Sequence, residues 1–167
     1  MKTQVKSIAP ELLLREYSRI LREKPDTKDL PLLISGNSMS PFLIHHRDTV
    51  YLSALTRPPR RGDIVLYQRR DGQYVLHRVY SLQGDTCTML GDAQTQLEPG
   101  IGLHQIRAIV TGVRRKGKLL TPDSFWWLFF ERIWIRIRPV RRPIHRLYTL
   151  LMRHSLPAES RQPESDG

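Results

Sequence analysis

The chain has 167 residues, 40% of them hydrophobic and 26% charged, which fits one domain plus tails and is too apolar for a disordered chain. A single cysteine, Cys87, excludes an internal disulfide framework and any multi-cysteine zinc or iron–sulfur site. The net charge of +11 is uneven, with +4 over residues 1–113, +9 over 114–154 and −2 over 155–167, so an anionic partner, phospholipid or nucleic acid, is expected at the C-terminal segment.

Charges run through the apolar positions of the first twenty residues, and the longest apolar run, Phe125 to Phe130, has six residues. Neither a secretory signal nor a membrane-spanning helix is expected, and the location is read as cytoplasmic. Leu13, Leu14, Tyr17, Ile20 and Leu21 fall at helical spacing between charged residues, predicting an amphipathic helix over Pro10 to Glu23 that ends in the stretch Lys24 to Asp29. From Leu30 to Leu120 short apolar runs alternate with turn residues, predicting six strands: Leu32 to Ser35, Thr49 to Leu52, Asp63 to Tyr67, Tyr74 to Tyr80, Thr86 to Leu90 and Ile106 to Arg114. Asp71-Gly72 and Gln83-Gly84-Asp85 are hairpin signals, because glycine reaches the positive φ of a tight turn. The expected architecture is mainly β (α+β): a helix and linker over 1–29, a β body over 30–120, a basic aromatic helical segment over 121–154 and a disordered tail over 155–167. Pro139 and Pro143 divide the third part into two helices, the second with Ile144, Leu147, Leu150 and Leu151 on one face.

The stretch Ile34-Ser35-Gly36-Asn37-Ser38-Met39-Ser40-Pro41 runs a strand into a turn that carries a serine. It is followed by Arg61-Gly62-Asp63-Ile64-Val65-Leu66-Tyr67, Val75-Leu76-His77-Arg78-Val79 and Leu90-Gly91-Asp92-Ala93-Gln94. As an ordered set, these blocks over residues 32–113 resemble the type I signal peptidase superfamily, which includes the self-cleaving SOS-repressor-type peptidases. The resemblance implies a signal-peptidase-like β fold with Ser38 as nucleophile and His77 as general base, in the histidine-type pattern rather than the lysine type. It implies an acid behind His77, for which Asp92 is preferred and Glu98 is the alternative. It also implies an oxyanion and substrate region around Gly36, Asn37, Met39 and Pro41. Signal peptidases often place a serine where this chain has Gly36, so the second oxyanion donor falls to a loop amide or Asn37.

The chemistry is consistent with those residue types. A serine hydroxyl becomes nucleophilic when a neighbouring base takes its proton, and histidine, with an ordinary pKa near ~6.5, is mostly neutral at pH 7. Its other ring nitrogen needs an orienting acceptor, and the backbone N–H of Ser38 is the natural oxyanion donor. The implied function is cleavage of a peptide or precursor protein, of the leader or signal-peptide type, after a small residue, with the substrate added as a strand beside the nucleophile segment. No cofactor is expected. The alternatives are a non-catalytic peptide-binding or dimerisation module of the same fold, or a membrane-surface protein acting through residues 124–154.

The same residues also admit plainer roles. Asp63 and Asp92 follow glycines at strand edges, where an acid caps a turn as readily as it does chemistry. Adjacent His45 and His46 on an extended chain face opposite ways and lack further ligands at suitable spacing, so no metal is expected. Cys87 sits in an alternating strand and is expected in the core. Residues 57–61 read as a rigid turn with solvated charges. Phe125, Trp126, Trp127, Phe129, Phe130 and Trp134 beside Arg132, Arg136, Arg138, Arg141 and Arg142 suit either a helix in a membrane interface or one packed on the β body. Nucleic-acid binding is disfavoured, since no recognisable motif accompanies the charge.

Overall fold

A computed structural model describes residues 10–137. Helix α1, Pro10–Glu23, forms where its periodicity placed it. Leu21 enters the core with Leu14 and Tyr17 partly covered beside it, and the Tyr17 hydroxyl donates to the Pro31 carbonyl at 3.0 Å. The body is one antiparallel sheet of eight strands: β1 Leu30–Leu33, β2 Asp48–Ser53, β3 Ile64–Gln68, β4 Tyr74–Gln83, β5 Thr86–Leu90, β6 Glu98–Gly102, β7 Ile106–Arg115 and β8 Lys118–Leu120. The spatial order is β1-β2-β7-β3-β4-β5-β6, with β8 also paired to β7.

Six strands were expected and eight form. β6 has the sequence EPGIG, in which proline and glycine read as a turn, and β8 has only three residues. β1 begins two residues earlier than predicted, because Pro31 is tolerated on an edge strand and the chain has already left the sheet at Ile34.

Side-chain alternation divides the core between the two faces of the sheet. On one face Ile64, Leu66, Val50, Leu52 and Ala108 pack against Met39, Phe42, Leu43 and the aromatic residues Trp127, Phe130 and Trp134. On the other, Val65, Tyr67, Val79, Met89, Ile101 and Ile106 pack together with Cys87, whose thiol burial pushes up in pKa.

The aromatic segment forms helix α2, Phe125–Phe129, continuing into a π-helical turn, Phe130–Trp134. Its inward residues are part of the core, so the packed reading holds for half of the segment. The predicted second helix with Ile144, Leu147, Leu150 and Leu151, the arginines at 138, 141 and 142, and the tail lie outside the described residues. Among the described residues, no helix is long and apolar enough to cross a membrane.

Candidate active site

The Ser38 turn is fastened at its base and at its crown. At the base, the Ile34 N–H donates to the Asp48 carbonyl and the His46 N–H to the Ile34 carbonyl, both at 2.9 Å. The fully buried Asp48 carboxylate accepts from the Ile44 N–H at 3.0 Å and pairs with Arg47 and Arg115. Burial works to raise the Asp48 pKa, but the Arg47 hydrogen bond, the Ile44 amide and Arg115 outweigh it and hold the carboxyl low. Within the turn, Phe42 and Leu43 are fully buried and the Ser40–Pro41 peptide is cis.

At the crown, the carbonyl of half-buried Ser38 accepts the Ala93 N–H at 2.9 Å. A Cβ added to Gly91 would stand 2.6 Å from that carbonyl oxygen, so only glycine allows the two backbones to meet. The β4–β5 register pairs Arg78 with Leu90 and Val79 with Met89; extended by one residue it puts Gly91 opposite His77. The serine turn is thus seated on the residue facing His77. Among the described residues, Ser38 Oγ and the His77 ring share no hydrogen bond.

His77 is 2% exposed. Desolvation by burial lowers its pKa to about 4; Glu98 acts in the raising direction and Arg69 in the lowering one, and the ring is neutral at pH 7. Its Nδ1 lies 3.2 Å from the Tyr67 hydroxyl, which donates to Glu98 Oε2 at 2.7 Å. Nδ1 itself is 3.9 Å from that carboxylate oxygen, so the tyrosine oxygen bridges ring and carboxylate. Arg69 closes the far side, with Nε and Nη2 each 2.6 Å from a Glu98 oxygen. The Arg69 hydrogen bond, ahead of that from Tyr67, keeps Glu98 below the usual carboxylate range, while burial and then Glu98 hold the Tyr67 hydroxyl protonated well beyond its ordinary pKa.

Register parity shows why Glu98, and not the preferred Asp92, stands behind His77. Glu98 pairs with Met89 and Met89 with Val79, which is two residues from His77, so all four share a face. Asp92 follows Leu90 by two residues and falls on the opposite face with Arg78. There it forms a bidentate pair with the fully buried Arg78 at 2.9 and 3.1 Å, while Arg78 Nη1 donates to the Gly62 carbonyl and Trp134 Nε1 to the Asp92 carbonyl, both at 2.8 Å. Asp92 is a structural anion beneath the loop that seats Ser38.

Three further expectations change. Met39 is buried in the core, where it anchors the turn from below and is closed to substrate. Gly36, at φ +100°, gives its N–H to His45 Nδ1 at 2.8 Å, so that amide is not an oxyanion donor. His45 and His46 lie on a turn, not an extended chain, and their rings stack at 3.6 Å instead of facing apart. Asn37 is exposed and Pro41 half-exposed on the open side of the turn. Asp63 caps its turn by accepting the Arg60 N–H at 2.7 Å and pairs with Arg57.

Sequence reasoning missed Tyr67, Arg69 and the reason for Gly91. Tyr67 reads as a core residue of an apolar strand, and only its separation from Glu98 across an unrecognised strand hides its role. An open cleft of about 550 Å³ runs beside Glu98, lined by Arg69 and residues 93–99. A separate cavity of about 570 Å³, lined by Asp29, Ser53, Arg57, Trp127 and Glu131 among others, contains none of the site residues. No protein-family description and no curated protein matches this chain.

Proposed function

We propose that the protein is a serine endopeptidase of the signal-peptidase-like type, with Ser38 as nucleophile and His77 as general base. The observation that carries the reading is the seating of the Ser38 carbonyl on Gly91, opposite a buried, neutral histidine whose Nδ1 is backed by Tyr67 and Glu98. Proton counting supports this division of roles. The single Tyr67 proton goes to Glu98, so His77 must donate its Nδ1 proton to the tyrosine oxygen, which leaves Nε2 as the lone-pair base.

In the reaction Nε2 takes the Ser38 proton as Oγ bonds to the substrate carbonyl carbon, and the Ser38 N–H donates to the developing oxyanion. The imidazolium then protonates the leaving amine as the C–N bond breaks, and water releases the acyl group from Ser38 by the same route. The serine and histidine close to hydrogen-bond distance in the substrate complex, as catalytic pairs commonly do. A peptide or precursor protein enters beside the exposed stretch Ser35 to Asn37, which continues the sheet-edge strand β1. A cytoplasmic setting, with leader-bearing precursors as substrates, belongs to the same proposal.

The test is a peptide library digested with wild type, Ser38→Ala and His77→Ala and read by mass spectrometry. Products that vanish in both variants support the proposal; equal product from all three refutes it. Binding without turnover in all three would favour the peptide-binding module, a reading that draws on the commitment of the Gly36 N–H to His45.

A further inference from the structure

The segment after β8 is apolar on two sides. Its inward side buries Trp127, Phe130, Trp134 and Ile135, and Trp134 is further fixed by its hydrogen bond to the Asp92 carbonyl. Its outward side leaves Phe125 72%, Trp126 54% and Ile133 51% exposed. Phe125 and Trp126 meet edge-to-face at 5.4 Å, and half-buried Phe129 meets Trp126 at 6.1 Å, so the exposed rings form one cluster held from beneath by a rigid core. Folding does not require these side chains in water, because the buried residues already attach the segment.

Charge is sorted on the same element. Arg132 and Arg136 are exposed, whereas the carboxylate-bearing Glu131 lies against Gly62, turned towards the protein. From residue 132 to residue 153 the sequence holds seven arginines and no aspartate or glutamate. Tryptophan and phenylalanine flanked by arginine are the side chains of a membrane interface, where rings enter the headgroup boundary and guanidinium groups pair with phosphates. Base stacking would use the two rings but gives an exposed isoleucine beside them no role.

We propose that this face is a docking surface for an anionic phospholipid bilayer, with Phe125, Trp126 and Ile133 inserting and Arg132 and Arg136 contacting headgroups. It stands independently of the role of Ser38. The full chain is expected to co-sediment with vesicles of phosphatidylcholine plus phosphatidylglycerol and only weakly with phosphatidylcholine alone, and added salt should release it. Phe125→Ser with Trp126→Ser and Ile133→Ser should weaken partitioning by at least about tenfold, since each apolar side chain withdrawn from the interface removes buried area. Fold integrity is checked by an unchanged urea midpoint. Brominated acyl chains should quench the exposed Trp126 and leave Trp127 and Trp134 bright, and Trp126→Phe should abolish the quenching. Equal vesicle binding by the triple variant, or binding that ignores lipid charge, would overturn the proposal. So would a wild type that ignores lipid but forms a dimer through these residues, or one that binds RNA in preference to vesicles.

Discussion

Burial of His77 predicts an acid sensitivity of the fold that a single substitution isolates. With a native pKa of about 4 against about 6.5 when unfolded, the unfolded chain binds more protons between those values, so stability rises with pH there. The contribution is complete above the unfolded value and is lost as pH falls towards the native one. From pH 7.5 to pH 5 the loss works out to about 2 kcal/mol, and over the whole window to about 3 kcal/mol. Urea unfolding of wild type and His77→Gln at both pH values measures it. The wild type should lose roughly 1 M more in midpoint than the variant, taking a slope of about 2 kcal/mol per molar. Comparing the two proteins cancels the other titrating groups, including Glu98 and Asp48, whose lowered pKa values place their losses at more acidic pH. Parallel pH dependences would refute the argument, because they would mean that His77 is as readily protonated in the fold as in water. A peptidase using this base would keep its kcat/KM down to about pH 5 and lose it near pH 4 as the ring takes a proton.

Gly91→Ala should destabilise the protein by about 1 to 3 kcal/mol and displace the serine turn, because its Cβ meets the Ser38 backbone carbonyl as well as the Gln94 side chain, and of the two only the side chain can swing away; thermal melting checks it, and an unchanged midpoint would count against the seat. Tyr67→Phe removes the bridge between His77 and Glu98, and peptide turnover should fall by about tenfold or more while KM holds, with a stability cost of about 1 to 2 kcal/mol. Arg78→Met should cost about 3 to 5 kcal/mol by leaving Asp92 buried and unpaired, and adding Asp92→Leu should restore much of it; urea unfolding of the single and double variants decides.

The parts of the molecule legible in sequence are those set by local period. Helix α1 and the hairpin through Gly72 follow from spacing and turn chemistry alone, and Cys87 in an alternating strand is indeed core. What stayed hidden depends on pairing between distant strands. Without β6, Glu98 is a loop acid near proline and glycine, and nothing local ranks it above Asp92. One signal was available for Asp92: His77 and Arg78 sit side by side in an otherwise apolar strand, so one faces each side of the sheet, and an arginine placed among Ile64, Leu66 and Leu90 requires a buried anion.

That adjacency gives the two charged pairs different work on opposite faces. On the face of His77, Glu98 and buried Tyr67 back the ring, and Glu98 alone of the two lines a cleft, so in the proposed reaction changes there alter proton transfer first. On the face of Arg78, the Asp92 pair is fully enclosed, held to Gly62 on one side and to Trp134 on the other. It fixes the loop whose Ala93 N–H and Gly91 backbone carry Ser38. The position of Ser38 is therefore set by an ion pair on the face of the sheet opposite His77, and the aromatic segment, through the Trp134 hydrogen bond, is bound to the same loop.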